Sequence, residues 1–157
     1  MTKIHSYELD LNWTGNRGAG TYKYTAYDRK FNIKAVGKPN LQGSADPLFR
    51  GDPHRYNPEE MFVASVASCH MLWYLHLCAS NNIIVVDYSD HPLGKMELKE
   101  FGEGEFVEII LSPKVFIKDI SHKELALSLH RQANEKCFIA KSLNFPILHA
   151  PQVLEAE

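Results

Sequence analysis

Asn57-Pro58-Glu59-Glu60-Met61-Phe62-Val63-Ala64-Ser65-Val66-Ala67-Ser68-Cys69-His70 is the stretch that decides how the rest of the chain is read. Asn57 is a good N-cap, Pro58 suits the first helical position because its missing N–H would be unpaired there anyway, and Glu60 stands where a capping box closes. The helix opened in this way is predicted to run from Pro58 to about Ser80, where Asn81-Asn82 stops it. Met61, Phe62, Val63, Val66, Met71, Leu72, Trp73, Tyr74, Leu75 and Leu77 make it apolar on nearly every side, so it is expected to be buried all round. The chain has no run of about 18 consecutive apolar residues to span a bilayer.

Working outward, residues 5 to 14 alternate, with Tyr7, Leu9, Leu11 and Trp13 on one side and Glu8, Asp10 and Asn12 on the other, the pattern of a half-buried strand. Gly15 to Gly20 is a turn, and residues 21–27 and 31–36 read as two further strands of an antiparallel meander. Residues 37–56 carry Gly, Pro, Asp and Ser without periodicity and form a long loop, which in a small domain is usually functional. Beyond the helix, residues 83–88, 94–100, 106–117 and 145–148 read as extended. Ser121-His122-Lys123-Glu124 offers a second capping box, and a second helix should end near residues 134–136. The expectation is an α+β fold, antiparallel sheets around one long buried central helix, in a single domain over residues 1–157.

The net charge of −2 and a pI near 6.4, without blocks of like charge, give none of the basic footprint that nucleic acid requires. The N-terminus enters an alternating pattern with no signal-peptide core, so a soluble cytoplasmic protein is expected, with no membrane partner. Three widely spaced cysteines are the opposite of a disulfide framework, and any bridge in a reducing compartment would be transient and catalytic.

Helix geometry sorts these cysteines. Cys69 and Cys78 are nine positions apart on one helix, hence about 13 Å apart on opposite faces, beyond the Cα separation of about 7 Å that a disulfide allows. Cys78 is therefore read as a small buried apolar residue. Cys137 follows the second helix and precedes Phe138-Ile139-Ala140-Lys141-Ser142-Leu143, which could form a short third one, and a cysteine at a helix start sees free N–H groups. Cys69, placed mid-helix, needs a cation, and the preceding loop offers Arg50 and Arg55. By residue type alone, two lone cysteines are more often buried fillers than a redox pair.

The run from Asn57-Pro58-Glu59-Glu60-Met61 through Ala67-Ser68-Cys69, with an arginine in the loop before it and Cys137 after it, resembles the OsmC/Ohr family of thiol-dependent hydroperoxide reductases. The likeness covers nearly the whole chain, including the order of its elements. It implies that Cys69 is the peroxidatic thiolate and Cys137 the resolving thiol, joined in a disulfide after oxidation. It further implies that Arg50, or Arg55 as runner-up, stabilises the thiolate, and that Glu59 holds the guanidinium. The family implies an intertwined homodimer with active sites at the subunit interface, no metal and no cofactor. Its members are antioxidant, stress-response oxidoreductases that take a small-molecule organic hydroperoxide and an external dithiol reductant. Glu59 and Cys69 lie ten positions, about 15 Å, apart along one helix, so Glu59 or Arg50 of the partner subunit is expected to serve the thiol. Phe49, Phe62 or Trp73 would supply an apolar lining.

The run His70-Met71-Leu72-Trp73-Tyr74-Leu75-His76 departs from the small or apolar residues that commonly follow the first cysteine in the family's peroxidases, and marks a subgroup. A catalytically silent dimer that binds an apolar small molecule, or acts as a redox switch, is the rival reading. A zinc site from Cys69, His70, His76 and Cys137 is disfavoured because His70 and His76 do not share a helix face. A hydrolase based on Ser65 or Ser68 lacks the Gly-x-Ser-x-Gly elbow.

Overall fold

The computed structural model describes residues 2–157, and they divide into two compact units, one ending at Met61 and one running from Phe62 to Glu157. In the first unit β1 (Asp10–Trp13), β2 (Phe31–Lys34) and β3 (Leu41–Gly43) form an antiparallel meander in the order β1-β2-β3. It is shorter than the sequence predicts. Only residues 10–13 of the expected first strand are extended, and they are exposed on both faces rather than half-buried. Residues 21–27 form turns, not a strand. Their carbonyls are taken by side chains instead of a neighbouring strand: Arg29 donates to Tyr27 O and Tyr24 O at 2.6 and 2.7 Å, and Arg17 Nε to Ala26 O at 3.2 Å. The Arg29 guanidinium also lies 4.3 and 4.1 Å from the Tyr24 and Tyr27 ring centroids, which fixes the turns by cation–π contact. β3 falls in the stretch expected to be loop, as does a short 3-10 turn over Pro47–Phe49 capped by the Asp46 carboxylate.

The central helix α1 (Pro58–Ser80) has the predicted bounds. Its capping box is formed: Glu60 N–H donates to Asn57 Oδ1 at 2.8 Å, and Asn57 N–H donates to Glu60 Oε2 at 3.0 Å. By length and mean hydropathy alone α1 would suffice to cross a membrane, although it contains no unbroken apolar run of that length. Its environment is otherwise. Val66, His70, Tyr74, Leu77 and Cys78 are buried as one stripe at helical spacing, while Leu72 is 62 % exposed. The expectation of burial all round is thus not met within one protomer, because only one face of α1 meets the rest of its unit.

Following α1 come β4 (Val85–Ser89), β5 (Leu93–Leu98), β6 (Gly104–Leu111) and β7 (Lys114–Ile117), then α2 (Lys123–Lys136), α3 (Phe138–Lys141), β8 (Ile147–His149) and β9 (Gln152–Glu155). They make two three-stranded sheets, ordered β4-β7-β9 and β5-β6-β8, each with one antiparallel and one parallel pairing. The sheets continue one another. Each chain passes from one to the other through a short break, and the breaks hold Pro92, Pro113 and Pro151, residues with no N–H to give to a ladder. Ala150 N–H to Leu111 O and Gln152 N–H to Pro113 O, both 2.8 Å, carry the pairing across. The single extended stretch expected over 106–117 is therefore two strands, and β9 lies past the last predicted one.

The buried stripe of α1 spans both sheets. Val66 packs with Ile109, Leu111 and Ile147, and Tyr74, Leu77 and Cys78 pack with Val115, Ile117, Val153 and the inner face of α2, namely Ala126, Leu129 and Ala133. Gly94 lets α1 come close: a Cβ there would sit 2.5 Å from a Val63 methyl. The second capping box does not form. Asp119 takes the Ser121 N–H at 2.9 Å in a 3-10 turn over Ile120–His122, leaving His122 as an N-cap without a side-chain bond.

Candidate active site

The two thiols singled out in the sequence meet. Cys69, half-buried on α1, and Cys137, 1 % exposed between α2 and α3, are close enough for the Cys69 thiol to act on the Cys137 thiol, Cys69 lining one concavity with the two residues after Cys137, and both are free thiols. Cys137 is held from both sides. Its N–H closes α2 on Ala133 O at 2.9 Å, and its Sγ accepts the Ala140 N–H of α3 at 3.3 Å. Burial, followed by the neighbouring Cys69 thiol, pushes the Cys137 thiol up to about 11. Cys137 is therefore a neutral thiol beside Cys69 at ordinary pH. Cys78 faces the core instead, 1 % exposed, and burial pushes its thiol up.

A concavity of about 390 Å³ opens beside Cys69, lined by Ser65, Ser68, Leu72, Trp73, Phe138 and Ile139. Its hydroxyls are turned away from it in bonding: Ser65 Oγ donates to Phe62 O, and Ser68 Oγ to Ala64 O, both at 2.8 Å. The wall is thus apolar, with Lys136 Nζ 5.8 Å from the Trp73 ring centroid. Of the three expected lining residues only Trp73 is here. Phe62 packs on Phe106 and Phe145 in the core.

The expected cation and carboxylate lie in the first unit. Arg50 is exposed, with its backbone at φ 65° and its N–H on Pro47 O. Arg55 is half-buried, with Nε 3.7 Å from Asp52 Oδ2 and one Nη buried without a hydrogen-bond partner. Glu59 Oε2 is likewise buried and unpartnered, whereas Glu60 is engaged in the helix cap.

Sequence reasoning singled out His70 but missed that it gathers with His130 and His149 beside the thiol-bearing part of α1. His70 Nε2 and His130 Nδ1 are 3.0 Å apart, both rings 1 % exposed, and His149 lies against His70 with centroids 4.6 Å apart. Burial drives His70 and His130 down to about 3, with the neighbouring histidines adding to it, and burial lowers His149 as well. All three are neutral at pH 7. The spacing from 70 to 130 to 149 carries no sequence signal. His76 is exposed, edge-on to Trp73. Among the described residues, no group of three His, Cys, Asp or Glu is arranged to hold a metal ion.

A family model described as OsmC-like protein matches residues 51–149, more than half of the chain and all of the thiol-bearing part. The chain belongs to the OsmC-like family. Among solved structures, an OsmC-like protein of unknown function from Vibrio cholerae is similar at 24 % identity and TM-score 0.82, over 96 % of this chain and 100 % of that one. An organic hydroperoxide resistance protein from Elizabethkingia anophelis is similar at 16 % identity and TM-score 0.70, over 99 % and 100 %. The Legionella pneumophila organic hydroperoxide resistance protein OsmC is similar at 15 % identity and TM-score 0.64, over 97 % and 98 %. At these identities the likeness speaks for the α+β OsmC-like fold. No curated protein matches the sequence.

Proposed function

We propose that this OsmC-like protein is a thiol peroxidase that reduces organic hydroperoxides through Cys69 and Cys137. The observation that carries the reading is the proximity of a half-buried thiol on α1 to a buried one at the α2–α3 junction. In the first step the Cys69 thiolate attacks the terminal oxygen of ROOH. The O–O bond breaks, Cys69 becomes a sulfenic acid, and the departing alkoxide takes a proton to leave as alcohol. In the second step Cys137 sulfur attacks the sulfenic sulfur and water leaves, giving the Cys69–Cys137 disulfide. An external dithiol restores both thiols by two exchanges and is itself oxidised to a disulfide.

The guanidinium that the thiolate needs is assigned to Arg50 or Arg55, and Glu59 to holding it as a bidentate partner. The buried, unpartnered Nη of Arg55 and Oε2 of Glu59 favour Arg55. OsmC/Ohr proteins are generally homodimers, and the outward face of α1, with Leu72 exposed beside the concavity, is the surface assigned to the partner. Three free cysteines suit a reducing, cytoplasmic setting.

The test is stopped-flow oxidation of reduced protein by cumene hydroperoxide, followed by mass spectrometry. The expected result is fast loss of two thiols and a Cys69–Cys137 disulfide, with Cys78 still free. Oxidation no faster than that of a free thiol, with no such disulfide, would leave a silent dimer with an apolar site as the better reading.

A further inference from the structure

Cys69 and Cys137 stand on two different elements, and their separation is only as fixed as those elements are to each other. The nearest polar tie between the elements is the His70–His130 bond, because His70 follows Cys69 on α1 and His130 sits two turns before Cys137 on α2. Its geometry is strict. The two rings are within 9° of parallel with centroids 5.3 Å apart, which exceeds the 3.0 Å nitrogen separation by two ring radii. The nitrogens therefore face each other in the common ring plane with one proton between them, the linear arrangement in which such a bond is strongest. Neither ring is free to turn. His149 covers His70 at 4.6 Å, and Tyr74 stacks on His130 at 3.8 Å and 11°. No metal ion fits between nitrogens so aimed, since two Zn–N bonds of about 2 Å in line need a wider gap.

We infer that the His70–His130 pair is a positioning clasp for the thiols: it sets the distance between Cys69 and Cys137 and so the ease with which they join in a disulfide. This deepens the peroxidase reading and rests on it. The residues act through the backbone of α1 and α2 and touch neither peroxide nor sulfur in this role. A buried hydrogen bond in a dry setting holds its partners to a narrow range of separation, and removing one partner strands the other. The clasp leaves the first oxidation of Cys69 unaffected and governs the second step.

The experiment compares four variants in which the same amide groups are placed correctly or wrongly. A Gln amide occupies the place of a histidine Nε2 and an Asn amide that of Nδ1, so His70→Gln and His130→Asn keep a polar group at the clasp, whereas His70→Asn and His130→Gln move it away. Each full-length protein is equilibrated with reduced and oxidised dithiothreitol. Two protein thiols pass two electrons and two protons to the dithiothreitol disulfide, and the equilibrium constant gives the effective concentration of Cys137 at Cys69. The misplaced pair is expected to lower that concentration about tenfold, the worth of one such bond, and the matched pair to stay near the unaltered protein. A purely packing role would penalise all four alike, and equal constants in all four would overturn the clasp while leaving the peroxidase reading intact. No disulfide in the unaltered protein would overturn both. Should a variant not fold, ¹⁵N-imidazole spectra of the unaltered protein replace it: oxidising the thiols must shift the His70 and His130 nitrogens, and unmoved signals overturn the proposal.

Discussion

Trp73 and Phe138 meet edge to face, with ring centroids 5.6 Å apart and planes at 82°. One ring comes from the helix that carries Cys69 and the other from the residue after Cys137, so the apolar wall and the thiol pair are built by the same two segments. Removing either ring should hurt bulky substrates selectively, since a bulky apolar group that covers these partly exposed rings gains apolar contact that a small one does not. For Trp73→Ala the KM for cumene hydroperoxide is expected to rise about tenfold, with the rate on hydrogen peroxide nearly unchanged. An equal loss on both substrates would count against the wall as a selectivity element.

The two neighbouring thiols should differ in reactivity toward an alkylating agent. Cys137 is buried and pushed up to about 11, and only the thiolate reacts. Limiting iodoacetamide at pH 7 is expected to label Cys69 while Cys137 and Cys78 stay free, as peptide mapping would report. Arg55→Ala should slow the labelling of Cys69 more than Arg50→Ala does. The reverse order would move the cation to Arg50.

Acid should weaken the fold through the buried histidines. An unfolded histidine binds its proton near 6.5, whereas His70 and His130 do so in the fold only at about 3. Between those values the unfolded chain holds more protons, so the stabilisation is complete above about pH 6.5 and is lost as pH falls, at up to about 1.4 kcal/mol per pH unit for each ring. Urea midpoints taken from pH 7 to pH 4 should fall steeply in the unaltered protein and less so in His130→Asn, which has one titrating ring fewer. Parallel slopes would assign the acid sensitivity elsewhere.

The start of α1 is a separate point of weakness. Asn57 is 6 % exposed and exchanges two hydrogen bonds with Glu60. Asn57→Ala is expected to cost about 1 to 2 kcal/mol, or roughly 2 to 8 °C in Tm for a chain of this size, with Glu60→Ala costing less. Calorimetry checks both, and an unchanged Tm would mean that the box adds nothing.

What could be read from the sequence follows the range of the interactions involved. α1 was legible to the residue because its start is encoded within four neighbours and its end by Asn81-Asn82. The thiol pair was legible only through the family resemblance, since nothing local ties residue 69 to residue 137. Residues 21–27 misled because their alternation is that of a strand, while their carbonyls are claimed by Arg17 and Arg29. Ser121 misled because Asp119, two residues earlier, reached the same N–H first. The histidine cluster stayed hidden for the plainest reason: three elements far apart in the chain bring it together, and each histidine looks ordinary where it stands.

The parallel strands β8 and β9 also govern timing. The β5–β6 hairpin and helix α1 close over short stretches of chain, but β9 pairs with β7 only after some thirty intervening residues, and α2 shares its core with Val153 of that strand. A ribosome delivers the chain from its N-terminus, so α2 has no complete bed to settle on until residue 155 has emerged. The junction of α1 and α2, where both thiols lie, is accordingly among the last parts of the chain to be completed.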